Sequence, residues 1–171
     1  MSWFNFHTHG QFCDGKGAPR DFIEEAINQN MRALGFSSHG PMPLPINWVM
    51  ENDKLPEYLS ELKSLKEEFK NQLPVYIGLE IDYIPGIIGA NSDFINALSL
   101  DYTIGAIHFA GFDKENNPWQ LDSNTVIFEQ GLKEIYNGDI RVLVEMYYHL
   151  ISEMASNEKP VIIAHLDLIK K

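Results

Sequence analysis

The run V75-Y-I-G-L-E-I-D-Y83 decides how this chain is read: it is an apolar, strand-like segment with an acid in its middle. Glu80 sits between Leu79 and Ile81, and a carboxylate buried there without a partner would be costly. Either a basic side chain pairs with it or a cation binds to it. No Lys or Arg lies in this strand, and the similar runs along the chain carry none beyond Lys159 at the outer start of the last, so a metal ion is the favoured partner. Asp82 shares the face of Glu80 one pleat on and reads as a solvated carboxylate or as one supporting a ligand.

Outward from Glu80, four comparable runs end in histidine or are followed by one. They are FNFHTHG (4–10), with His7 and His9; ALGFSS (33–38), followed by His39; DYTIGAIH (101–108), ending in His108; and KPVIIAH (159–165), ending in His165. Residues 2–9 alternate, so Asn5, His7 and His9 are expected on one face of a strand, where two imidazoles can chelate one ion. Helical segments separate the runs. Pro19 precedes RDFIEEAINQN, and Pro56 opens EYLSELKSLKEEF with Leu59, Leu62, Leu65 and Phe69 at helical spacing. A short helix is expected at 91–98. Longer ones are expected at about 123–136 and 139–156, with Ser123 and Asp139 as N-caps. The segments 40–53, with Pro41, Pro43 and Pro45, and 111–118 (GFDKENNP) read as loops.

Strands alternating with helices predict an α/β fold with a parallel sheet or barrel, whose chemistry lies at the carboxyl ends of the strands. That is where the histidines are concentrated. Five strands are an open count for a closed barrel, and LDLIKK (166–171) reads as the start of a further unit. Asp14, in the Gly-flanked loop QFCDGKG, is either a turn residue or a ligand beside His7 and His9. Cys13 next to it is either a soft ligand or a buried thiol. His149, in a helix beside Tyr147 and Tyr148, reads as a packing or surface residue, the tyrosine pair as core.

The chain has 171 residues, 44% hydrophobic and 22% charged, which suits one globular domain spanning 1–171. No apolar stretch approaches membrane-helix length, nothing at the amino end resembles a secretory signal, and Cys13 is the only cysteine. A cytoplasmic location is expected. A net charge of −11, with 13 basic against 24 acidic residues, argues against nucleic-acid binding. A small anionic substrate is compatible with that charge if metal ions supply positive charge locally.

HxH near the amino end, the loop Asp, SSHGP, GLEIDY, IHF and AHLDL, in this order, resemble the polymerase-and-histidinol-phosphatase (PHP) family. Among its branches the histidinol phosphatases are most similar, through GLEIDY, the Pro-rich loop after SSHGP and the Tyr-Tyr helix. The resemblance implies a distorted (β/α)7 TIM-like barrel, incomplete here at the carboxyl end, with two or three divalent ions (Zn, Mn or Fe). His7 and His9 would bind the first ion, with Glu80 bridging it to another; Asp14 and His39 would bind a second; His108 and His165 would complete the ion shared with Glu80. A metal-bridged hydroxide would attack phosphorus, converting L-histidinol phosphate and water to L-histidinol and phosphate in histidine biosynthesis.

Two departures from the family stand out. Its Asp-x-His pair is absent, which leaves seven of the nine implied ligands. His149 stands where relatives carry an Arg, which makes it a candidate phosphate contact. An open barrel edge would favour dimerisation or strand exchange. Two other functions fit the same residues: a PHP phosphoesterase for another phosphate ester, and a metal-binding remnant without catalysis.

Overall fold

The computed structural model describes residues 3–170; Met1, Ser2 and Lys171, at the outer ends of the first and last expected segments, lie outside them. Five strands form one parallel sheet in the order β1 (Phe4–Asn5), β2 (Ala33–Phe36), β3 (Val75–Asp82), β4 (Tyr102–Ala106) and β7 (Ile162–Ile163). The pairs are in register at Phe4 with Ala33, Leu34 with Val75, Gly78 with Tyr102 and Ile104 with Ile162. Parallel neighbours need long crossovers, and α1 (Pro19–Asn28), α2 (Leu55–Phe69), the short α3 (Asp93–Asn96) and α5 (Ile140–Asn157) lie in them. The sheet curls into a half barrel, as the expected incomplete TIM-like fold requires. Among the described residues, the outer edges of β1 and β7 pair with no strand.

The buried faces explain the curl. Along β3, Val75, Ile77, Leu79 and Ile81 point to the helices and join a core with Ile23, Leu62, Leu65 and Phe69. The alternate set, Gly78, Glu80 and Asp82, points into the concave interior and is buried as well. On α2 the buried stripe is Tyr58, Leu62, Leu65 and Phe69, with Leu59 only partly buried, so the helix is rotated slightly from the expected face. A second core joins α5, through Leu143, Tyr147, Leu150 and Met154, to Trp119 and Ile107.

Several local expectations are revised. The ladder of β1 ends at Asn5, not at residue 9, because side chains take over the backbone groups beyond it. The Asn5 side chain accepts the His7 N–H at 3.0 Å. Residues 111–118 are not all loop: β5 (Phe109–Phe112) and β6 (Pro118–Gln120) form an antiparallel hairpin. Its turn is closed by the Asp113 carboxylate, which accepts the N–H groups of Glu115 and Asn117. The cap of α4 (Thr125–Tyr136) is Asn124 rather than Ser123, since the Asn124 side chain accepts the Ile127 N–H; Asp139 caps α5 as expected. Tyr147 is core, but Tyr148 is exposed. No described helix is long and apolar enough to cross a membrane.

Candidate metal centre

Glu80 is the hub. It lies on the concave face of the central strand, its side chain 1% exposed, with imidazoles on both sides of its carboxylate. Oε2 is 2.9 Å from His7 Nε2, 3.0 Å from His9 Nε2 and 3.3 Å from His39 Nδ1. Oε1 is 3.1 Å from His165 Nε2 and 3.8 Å from His108 Nε2. These five histidines come from the carboxyl ends of β1, β2, β4 and β7, which the curl brings together.

Local structure explains each placement. Thr8 turns inward between His7 and His9, and its carbonyl accepts the Ser37 N–H at 2.9 Å, so the HTH segment lies against the end of β2. His39 extends the β2–β3 pairing past the ladder: the Glu80 N–H donates to the Ser38 carbonyl and the Gly40 N–H to the Glu80 carbonyl. His108 is fixed by Asp82, whose Oδ1 is 2.8 Å from His108 Nδ1 and also accepts the His108 backbone N–H. Asp82 is 3% exposed, so of the two sequence readings it is the supporting carboxylate, directing Nε2 of His108 at Glu80.

Asp14 stands at the half-open rim, with Oδ1 3.3 Å from His9 Nδ1 and 3.9 Å from His39 Nε2. Cys13 Sγ, half-buried, is 3.4 Å from the same His9 nitrogen. Six of the seven residues expected to bind metal fall in three overlapping donor sets: His7, His9 and Glu80; His9, Asp14 and His39; and His39, Glu80 and His108. The seventh, His165, joins them through its contact with Glu80. His149 does not join them. It is exposed on α5, two residues from inward-facing Tyr147 and so on the opposite side of the helix.

The sequence reading missed Trp48. The proline-rich loop carries its ring to 4.5 Å from His39 and 5.4 Å from His108, where it stacks on Phe109. Trp48 Nε1 donates to Gln120 Oε1 at 3.2 Å, linking the loop to the hairpin. A lone Trp among prolines gives no signal of this in one dimension.

The electrostatics are those of a site built around cations. Burial alone would raise Glu80, but the contacts of His165, His7 and His9 hold it far below the ordinary carboxylate range. Burial pulls His9 down, yet the bonds to Cys13 and Glu80 outweigh it and raise it to about 10. His108 is likewise raised to about 9, Asp82 overcoming the effect of burial. His39 goes the other way: burial lowers it to about 4. Two buried ring nitrogens, His39 Nδ1 and His165 Nδ1, have no hydrogen-bond partner among the described residues. One carboxylate cannot satisfy five imidazoles, and orphaned buried nitrogens are expensive. Nitrogen and carboxylate donors of this kind fit divalent ions such as Zn, Mn or Fe.

The chain is 31% identical over 168 residues to the "Probable histidinol-phosphatase" of Deinococcus radiodurans, covering 96% of this chain and 60% of that protein. It is 29% identical to the histidinol-phosphatase of Bacillus subtilis, covering 96% of this chain and 66% of the relative. The chain thus spans about 60% of the length of the Deinococcus relative. The solved structure of the "putative histidinol phosphatase hisK" from Listeria monocytogenes superposes with a TM-score of 0.82 at 18% identity. It covers 97% of this chain and 67% of that one, a match of fold. A Lactococcus lactis histidinol phosphate phosphatase, complexed with Zn, L-histidinol and phosphate, gives a TM-score of 0.51 at 27% identity, covering 66% of this chain and 43% of that one. The PHP domain model matches residues 5–171, and with the histidine and carboxylate cluster at the strand ends, this chain belongs to the PHP domain family.

Proposed function

We propose that this chain is a metal-dependent phosphoric monoester hydrolase acting on L-histidinol phosphate. The observation that carries the reading is one buried carboxylate, Glu80, ringed by five imidazoles, with no Lys or Arg paired to it among the described residues. His7, His9 and Glu80 would hold one ion, Asp14 and His39 a second, and His108 and His165 an ion sharing Glu80. Bound there, two or three ions of Zn, Mn or Fe would supply positive charge for the phosphate and a water activated at neutral pH. The substrate assignment draws on the curated relatives and on the Lactococcus protein in complex with Zn, L-histidinol and phosphate.

The protein's own groups have separable tasks. Glu80 ties the ligand sets into one cluster, because each of its oxygens faces a different group of histidines. Asp82 holds the His108 proton on Nδ1, leaving Nε2 as a donor atom. Trp48 and Phe109 wall the site on the His39 and His108 side and exclude water there. The lone cysteine fits a cytoplasmic setting.

The test is phosphate release from L-histidinol phosphate by the chain loaded in turn with Zn, Mn or Fe, with metal content measured and a chelated control. Turnover that disappears with the chelator is expected. Stoichiometric metal with no phosphate release would replace the hydrolase reading by one of metal binding alone. Hydrolysis of other phosphate monoesters in preference to this one would move the substrate and leave the chemistry.

A further inference from the structure

The ladder between β1 and β2 ends at Asn5 and Leu34, yet the residues that matter, His7, His9 and His39, lie beyond it. Side chains hold these two segments together. The Thr8 N–H donates to Ser37 Oγ at 3.2 Å, and the Ser37 N–H donates to the Thr8 carbonyl at 2.9 Å. A third link comes from across the curl. The Tyr102 hydroxyl, at the start of β4, lies 2.7 Å from the Phe6 carbonyl and 2.9 Å from the Phe36 carbonyl. Phe6 directly precedes His7, and Phe36 precedes Ser37. One phenolic proton thus serves the carbonyls at the carboxyl ends of both strands.

The path of this side chain is built into the sheet. A Cβ at Gly35 would stand 2.5 Å from the Tyr102 hydroxyl, and one at Gly78 would stand 2.6 Å from Tyr102 Cζ. Both glycines are in strands, where the residue is otherwise unfavourable, and each leaves room for the ring. Phe6 packs edge-on against it at 5.6 Å between centroids. Burial pushes the phenol well above its ordinary range, so the hydroxyl stays a neutral donor.

We propose that Tyr102 is a positioning residue for the metal ligands: with the Thr8–Ser37 pair, its hydroxyl ties the ends of β1 and β2, setting where His7, His9 and His39 stand about Glu80. The consequence for metal affinity rests on the metal-site reading above; the tie itself does not. Ligand groups held by such outer bonds lose about 10- to 100-fold in metal affinity when the bond is removed.

The test is Tyr102→Phe in the full chain, with Tyr136→Phe as its control. Tyr136 is a partly buried phenol whose hydroxyl donates to the Ala110 carbonyl at 2.5 Å, in the hairpin and away from the ends of β1 and β2. In the metal-free protein, long-range 1H–15N spectra of the imidazoles should change for His7, His9 and His39 in Y102F. His149 should stay as in the parent, and Y136F should leave all of these unchanged. Zn affinity by chelator competition should fall about 10-fold in Y102F and stay within about twofold of the parent in Y136F. Imidazole spectra of Y102F that match Y136F would overturn the proposal whether or not metal binds. Parent protein that takes up no metal would overturn the metal-site reading and leave the spectra to decide the tie. If Y102F does not fold, Ser37→Ala cuts the neighbouring link between the same segments, and the same three histidines must respond or the proposal fails.

Discussion

Replacing Glu80 by Gln tests the centre most directly, since shape is kept and one charge is lost. In the metal-free protein His9 and His108 are protonated at neutral pH, and both lean on this carboxylate. Removing one member of a buried charged group costs about 3–5 kcal/mol when the other stays charged. These rings can shed their protons instead, which places E80Q at the lower end, about 3 kcal/mol. For a domain of this size that is a fall of roughly 6–12 °C in melting temperature. The larger effect is on metal. A carboxylate that touches ligands on both of its oxygens contributes to more than one ion, so affinity should fall at least about 100-fold, or ~2.7 kcal/mol. The assay is thermal melting with and without Zn, supported by chelator competition, with exposed Glu51→Gln as control. Ligand-induced stabilisation follows RT ln(1 + [L]/Kd), so at a Zn concentration near the parent's Kd the shift should vanish in E80Q and persist in E51Q. A Zn affinity in E80Q within threefold of the parent would refute the assignment of Glu80 as the hub.

Asp82→Asn should weaken Zn binding by about 10-fold, because the amide no longer holds the His108 ring with a charge; chelator competition measures it, and unchanged affinity would show that His108 needs no such support. His149→Ala should leave both melting temperature, within about 0.5 kcal/mol of stability, and Zn affinity unaltered, since the ring is exposed and apart from the cluster; weaker phosphate binding would restore it as a phosphate contact. The metal-free chain should be most stable near pH 6–7, measured as melting temperature against pH. The contribution of Glu80, whose folded pKa is depressed, is present above its ordinary 4.5 and lost as pH falls. His39, lowered to about 4 by burial, adds to the acid loss below 6.5. The contribution of His108 is full below 6.5 and disappears as pH rises through about 9. Zn should displace these protons and move the optimum upward; an optimum unmoved by metal would count against ligation by His108.

The sequence by itself determined the class of fold and which side chains stand at the carboxyl ends of the strands. Apolar runs with a period of two, separated by helical runs, require a parallel sheet with crossovers, and side-chain alternation puts Glu80 and Asp82 on one face whatever the rest of the chain does. An acid in an apolar strand with no basic residue nearby already calls for a cation. These are short-range properties, fixed by backbone geometry and by the cost of burying charge.

What neighbours what was decided by the tertiary structure. That Asp82 supports His108 depends on the register of β3 with β4, which pairs Asp82 with Ala106. That Trp48 walls the site depends on where a proline-rich loop lands, and that His149 faces away depends on which side of α5 the core claims. The hairpin at 109–120 needed the Asp113 turn and its partner strand to form together. Tyr102 reads as an ordinary strand residue in one dimension. Only the curl of the sheet carries its hydroxyl to two carbonyls 96 and 66 residues away, because contact across a barrel interior depends on strand order and curvature, which no local pattern encodes.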